Sequence, residues 1–108
     1  MLGDRTVKYM QEVNDRNFAA AWAKLGSTRV LSLFGENDWI ALKEDQTQVA
    51  DIVNRANPGK GQFTLVPGSD HGFSKCTSMQ DSFSRFGKPG NEFNPDIVKI
   101  IKDWIASQ

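Results

Sequence analysis

The sequence predicts an α/β protein in which a short parallel sheet is flanked by helices, and three observations lead there. Residues 28–67 spell strand, helix, strand with short connections; such a crossover is almost always right-handed and joins parallel strands. The first strand, Arg29 to Phe34, carries apolar side chains on both of its alternating faces, as a strand covered on both sides of a parallel sheet does. Elsewhere apolar residues recur at spacings of three and four, the period of a helix with one buried face. At 108 residues, the chain has room for one domain at most.

In chain order, Asp4 can cap a helix whose apolar positions are Val7, Met10 and Val13, before Asn14-Asp15-Arg16-Asn17 interrupts the stripe. Phe18, Ala21, Trp22 and Leu25 resume it, and Gly26 stands where a left-handed residue ends a helix. Two short helices, or one kinked helix, are expected across residues 5–25. After the strand and Gly35, a helical stripe runs through Val49, Ile52, Val53 and Ala56 until Asn57-Pro58-Gly59 stops it, because proline has no amide hydrogen for the ladder. Gln62 to Val66 is the second strand, closed by Pro67-Gly68. The final helix follows a long loop, with Asn94 as cap, Pro95 in its first turn, and Ile97, Ile100, Ile101 and Trp104 as its buried stripe. Within the loop, Met79, Phe83 and Phe86 have the spacing of a short helix's apolar side. The rival reading is an apolar wall for a substrate or partner chain.

Thirteen basic and thirteen acidic residues cancel, which argues against a nucleic-acid partner, since phosphates call for a basic face. No apolar run approaches the roughly 20 residues that cross a bilayer, so no membrane partner is expected. Met1-Leu2-Gly3-Asp4 lacks a secretory pattern, which points to the cytoplasm. The single cysteine, Cys76, cannot form an internal disulfide, and the single histidine, His71, cannot anchor a histidine-rich metal site. Neither a metal nor another cofactor is expected. Two parallel strands alone leave both sheet edges unpaired. Either the chain self-associates through an exposed edge or further strands belong to a longer protein.

Parallel strands deliver their carboxyl ends to one edge of the sheet, where ligands and catalytic groups collect. The first strand runs into Gly35-Glu36-Asn37-Asp38, and the second into Pro67-Gly68-Ser69-Asp70-His71-Gly72. Asp38 and His71 thus emerge from neighbouring strand ends. A carboxylate that fixes an imidazole's tautomer and stabilises its charged form makes a general base. Taken singly, each has a plainer reading: Asp38 as a turn residue, His71 as a solvated loop side chain. Among nearby carboxylates, Glu36 has no assigned role, Asp45 is expected to cap the following helix, and Asp70 is an understudy to Asp38. Cys76 is a weak nucleophile candidate, because nothing near it in sequence would activate a thiol. Trp39 either lines a pocket or packs.

Val30-Leu31-Ser32-Leu33-Phe34-Gly35-Glu36-Asn37-Asp38 resembles the penultimate strand of the α/β-hydrolase fold, in which a hydrophobic strand leads into Gly-x-x-Asp. Leu65-Val66-Pro67-Gly68-Ser69-Asp70-His71-Gly72-Phe73 resembles that family's last strand and histidine loop. The resemblance covers about residues 28–107. It implies that Asp38 is the acid and His71 the base of a Ser–His–Asp triad, with the nucleophile earlier in the chain. The family's Gly-x-Ser-x-Gly elbow is absent, and Ser27 and Ser32 are the only serines before Asp38. The resemblance therefore implies the C-terminal segment of a hydrolase domain with a partial α/β-hydrolase fold. Residues 1–27 would be a helical cap or connector, and residues 28–108 the βαβ unit, histidine loop and closing helix. The implied function is hydrolysis of a small ester or peptide through an acyl-enzyme, with this chain inactive alone. The alternative is a non-catalytic interaction or dimerisation module.

Overall fold

A computed structural model describes residues 17–108, together with Lys8. From Asn17 onward the order is α1 (Phe18–Ala23), β1 (Val30–Gly35), α2 (Lys43–Ala56), β2 (Gly61–Val66), α3 (Met79–Arg85) and α4 (Asp96–Ala106). The helix expected over Val7, Met10 and Val13 lies outside the described residues apart from Lys8. Of the second stretch, the six residues of α1 are helical, capped by the Asn17 side chain, which accepts from the Ala20 amide at 2.9 Å. Gly26 does take a left-handed conformation, two residues after the C-cap Lys24.

β1 and β2 pair in parallel, from Val30 opposite Gly61 to Gly35 opposite Val66. α2 packs on both strands, and α1 lies on α2. The Ser32 hydroxyl, on the covered face, donates to the Gln46 carbonyl and side-chain oxygens of α2, both at 2.9 Å. Gly61 lets the helix come close: a Cβ there would sit 2.7 Å from the Ala50 carbonyl oxygen. Phe34, Ala50, Val53 and Val66 form the centre of this small core. Leu31 and Leu33, on the other face of β1, stay half-buried. The expected cover on both faces is met on one among the described residues.

Asp45 does not cap α2. The N-cap position is Leu42, without a side-chain bond, and Asp45 sits inside the first turn, where a carboxylate still complements the helix dipole. α2 ends as expected, with the Asn57 amide on the Val53 carbonyl and Gly59 left-handed. α4 begins one residue later than predicted, although Asn94 still caps it by accepting from the Asp96 amide at 3.0 Å. Its stripe is less buried than its periodicity suggests: Ile97 is buried, Ile100 and Trp104 are half-buried, and Ile101 is exposed. No helix among the described residues is long and apolar enough to cross a membrane.

Candidate functional site

Both strands end at the same edge, and backbone bonds lock their exits together. The Glu36 amide donates to the Val66 carbonyl at 2.9 Å, and the Asn37 amide to the Ser69 carbonyl at 2.8 Å. Gly35 makes this crossing possible. A Cβ at that position would lie 2.2 Å from the Asp70 carbonyl oxygen and 2.8 Å from that of Ser69, so the histidine loop lies directly on the glycine.

Beyond β2 the chain folds back on itself. The Cys76 amide donates to the Gly68 carbonyl at 2.9 Å, the Asp70 amide to the Ser74 carbonyl at 3.1 Å, and the Phe73 amide to the Asp70 carbonyl at 3.0 Å. His71 therefore projects from the tip of a tight turn. The Asp70 carboxylate fastens the turn, accepting from the Gly72 and Ser74 amides at 3.2 and 2.9 Å. Phe73 closes it at φ 60°, a conformation that costs a bulky residue on the order of 1–2 kcal/mol. Asn94 supports the turn from below: its amide group donates to the Ser69 hydroxyl at 2.7 Å, and its backbone N–H to the Phe73 carbonyl at 2.8 Å.

Asp38 and His71 meet at this edge. The His71 Nδ1 lies 2.8 Å from Asp38 Oδ2. Asp38 is 5% exposed, whereas the His71 side chain is 50% exposed. The two carboxylate oxygens divide their work. Oδ1 accepts the Ile40 and Ala41 amides at 2.8 and 2.9 Å, the local turn that aspartate favours, which leaves Oδ2 for the imidazole. One side chain thus makes both the turn bonds and the contact with His71. Burial pushes the Asp38 carboxyl up, but the Ala41 amide, His71 and the Ile40 amide together hold it below its ordinary value. It therefore stays ionised facing the imidazole, so Nδ1 carries the hydrogen and Nε2 is the basic atom. Among the described residues, no hydroxyl bonds to His71.

The other candidates fall elsewhere. Asp70 does not reach His71; besides its own turn, it accepts from the buried Ser82 hydroxyl at 2.8 Å. Ser82 in turn accepts the Trp39 indole N–H at 3.0 Å. The residue after Asp38 and the residue before His71 are thus tied through one hydroxyl, a link that no spacing in the sequence announces. Glu36 accepts the Gly68 amide at 3.1 Å and braces the two exits. Burial pushes the Cys76 thiol up, with Asp70 and Asp81 adding to the effect, the reverse of what a nucleophilic thiolate needs.

α3 exists, but its apolar side is not buried: Met79, Phe83 and Phe86 are 45%, 66% and 64% exposed. Phe83 and Phe86 meet Trp39 edge-to-face, with centroids 5.1 and 5.3 Å apart. A pocket of about 250 Å³ lies beside this wall, lined by Trp39, Ile40, His71, Ser82, Phe86 and Asn91 among others. No group of three or more histidine, cysteine or acidic side chains that could hold a metal occurs among the described residues. Comparison with protein-family models, curated proteins and solved structures finds no match to this chain.

Proposed function

We propose that this chain supplies the acid and base of a serine hydrolase that cleaves an ester or amide bond, Asp38 being the acid and His71 the base. One observation carries the reading: the 2.8 Å contact of a buried carboxylate with a half-exposed imidazole at the tips of two parallel strands. In the proposed reaction, His71 Nε2 takes the proton of a serine hydroxyl as its oxygen attacks the substrate carbonyl. Asp38 stabilises the resulting imidazolium, which then protonates the leaving group as the scissile bond breaks. Water, activated by the same base, releases the acid and restores the serine. The nucleophile and the oxyanion donors come from polypeptide outside this chain.

A fluorophosphonate probe tests the proposal. The 108-residue chain alone should remain unlabelled, and it should become part of a labelled protein when expressed with the coding sequence upstream of Met1. Labelling of the chain alone, or an upstream sequence without a serine elbow, would overturn the reading.

A second reading concerns association. Among the described residues the sheet has two strands, each with one edge unpaired among them, and β-augmentation is a common use of such edges. Without the missing strands, the isolated chain should dimerise edge to edge. Sedimentation equilibrium at millimolar concentration that returns only the monomer mass would exclude this.

A further inference from the structure

The exposed aromatic wall beside the dyad has a chemistry of its own. Phe83 and Phe86 leave about two thirds of their surface in water, 66% and 64%, and together with Trp39 they make a contiguous apolar patch of the kind that marks a binding site. Apart from the His71 Nε2, the polar side-chain atoms nearest the wall are committed within the protein. The Trp39 N–H is taken by Ser82, the Ser82 hydroxyl hydrogen by Asp70, and the Asp70 oxygens by Ser82 and the Gly72 and Ser74 amides. What the wall presents is therefore ring surface without a free donor. The carboxylates of Asp38 and Asp70 beside it disfavour an anion. Size gives a scale: an apolar cavity of about 150 Å³ holds benzene, so the pocket of about 250 Å³ has room for one ring and its attached carbonyl.

We propose that the pocket between Trp39, Phe86 and His71 is the acyl subsite, and that it takes a neutral, ring-sized apolar group such as a benzoyl. This rests on the hydrolase reading for the word acyl, but the binding itself does not need the missing nucleophile. Methyl benzoate titrated into ¹⁵N-labelled chain should shift the Trp39 indole N–H and His71 ring signals saturably. Methyl acetate and sodium benzoate should bind at least about ten-fold more weakly, the acetate ester because it lacks a ring to bury. Phe86→Ala removes an exposed side chain, so the fold survives, and the affinity for methyl benzoate should drop about five-fold or more; Trp39→Ala should drop it further.

Equal binding of the three probes, no saturation, or indifference to Phe86→Ala overturns the subsite. So do wall signals that move with protein concentration alone, which would make the wall a contact between copies of the chain. The two proposals separate cleanly. An upstream-extended protein that hydrolyses benzoyl and acetyl esters alike refutes the subsite and keeps the hydrolase. One that binds methyl benzoate but never reacts with a fluorophosphonate refutes the hydrolase and keeps the pocket.

Discussion

Gly35→Ala puts the geometry of the site under a test of sign. The backbone at Gly35 is not left-handed, so alanine's backbone preferences alone would favour the change. Reduced freedom of the unfolded chain would stabilise the protein by about 0.4–1 kcal/mol. Space argues the other way. The added Cβ would sit 2.2 Å from the Asp70 carbonyl oxygen, and an ordinary contact needs about 3.4 Å, so the loop must retreat by about 1 Å. Overpacking of this kind costs about 1–3 kcal/mol. The retreat also stretches the 2.8 Å His71–Asp38 bond past hydrogen-bonding range, a loss of about 1 kcal/mol for a pair with one half-exposed member. The balance is a destabilisation of about 1–3.5 kcal/mol, read by urea unfolding at neutral pH. Loss of the downfield His71 Nδ1–H resonance should accompany it. Gly72→Ala is the control, since its nearest obstacle is 4.0 Å away, and it should be close to neutral. A neutral or stabilising Gly35→Ala, with the imidazole resonance unchanged, would refute the argument that close approach builds the site.

Two further predictions follow from the same edge. Ser82→Ala strands the Trp39 N–H and one Asp70 oxygen, both partly open to water, and should cost about 1.5–3 kcal/mol, with faster exchange of the indole hydrogen as its signature; a loss below about 0.5 kcal/mol would show that the bridge carries no weight. Asp38, held below its ordinary value when folded, contributes stability that is complete above the unfolded carboxylate pKa, near 3.9, and lost as the pH falls through the lower folded value. Asp81, lowered mainly by the Thr77 amide and Arg85, titrates in the same window. The comparison must therefore be with Asp38→Asn, whose stability should decline less steeply below about pH 4 than that of the unsubstituted chain; parallel declines would refute the Asp38 contribution.

Much of this edge was legible because the chemistry was local. Strand, helix and strand could be read from periodicity and from Pro58 and Gly59, and parallel strands bring Asp38 and His71 to one end by topology alone. The sequence could not show which atoms share the work. That Asp38 spends one oxygen on its own turn and the other on His71 depends on the loop's path across Gly35, a tertiary contact. Ser82 left no trace in the pattern because its partners, Trp39 and Asp70, lie 43 and 12 residues away. Asp45 misled for a simpler reason: an acidic residue before an apolar stripe fits a cap and a first turn equally well, and α2 starts two residues before it. Periodicity at α3 and α4 identified helices correctly but overstated burial, since it reports which residues share a face and not what that face meets.

Asn94 joins two jobs that are usually separate, starting α4 and gripping the underside of the turn that bears His71. The C-terminal helix is thereby geared to the imidazole: a tilt of its first turn reaches the loop that bears His71 through both the side-chain amide and the backbone N–H of Asn94. Whatever seats or shifts that helix in a larger assembly would set the reach of Nε2 without touching the strands at all.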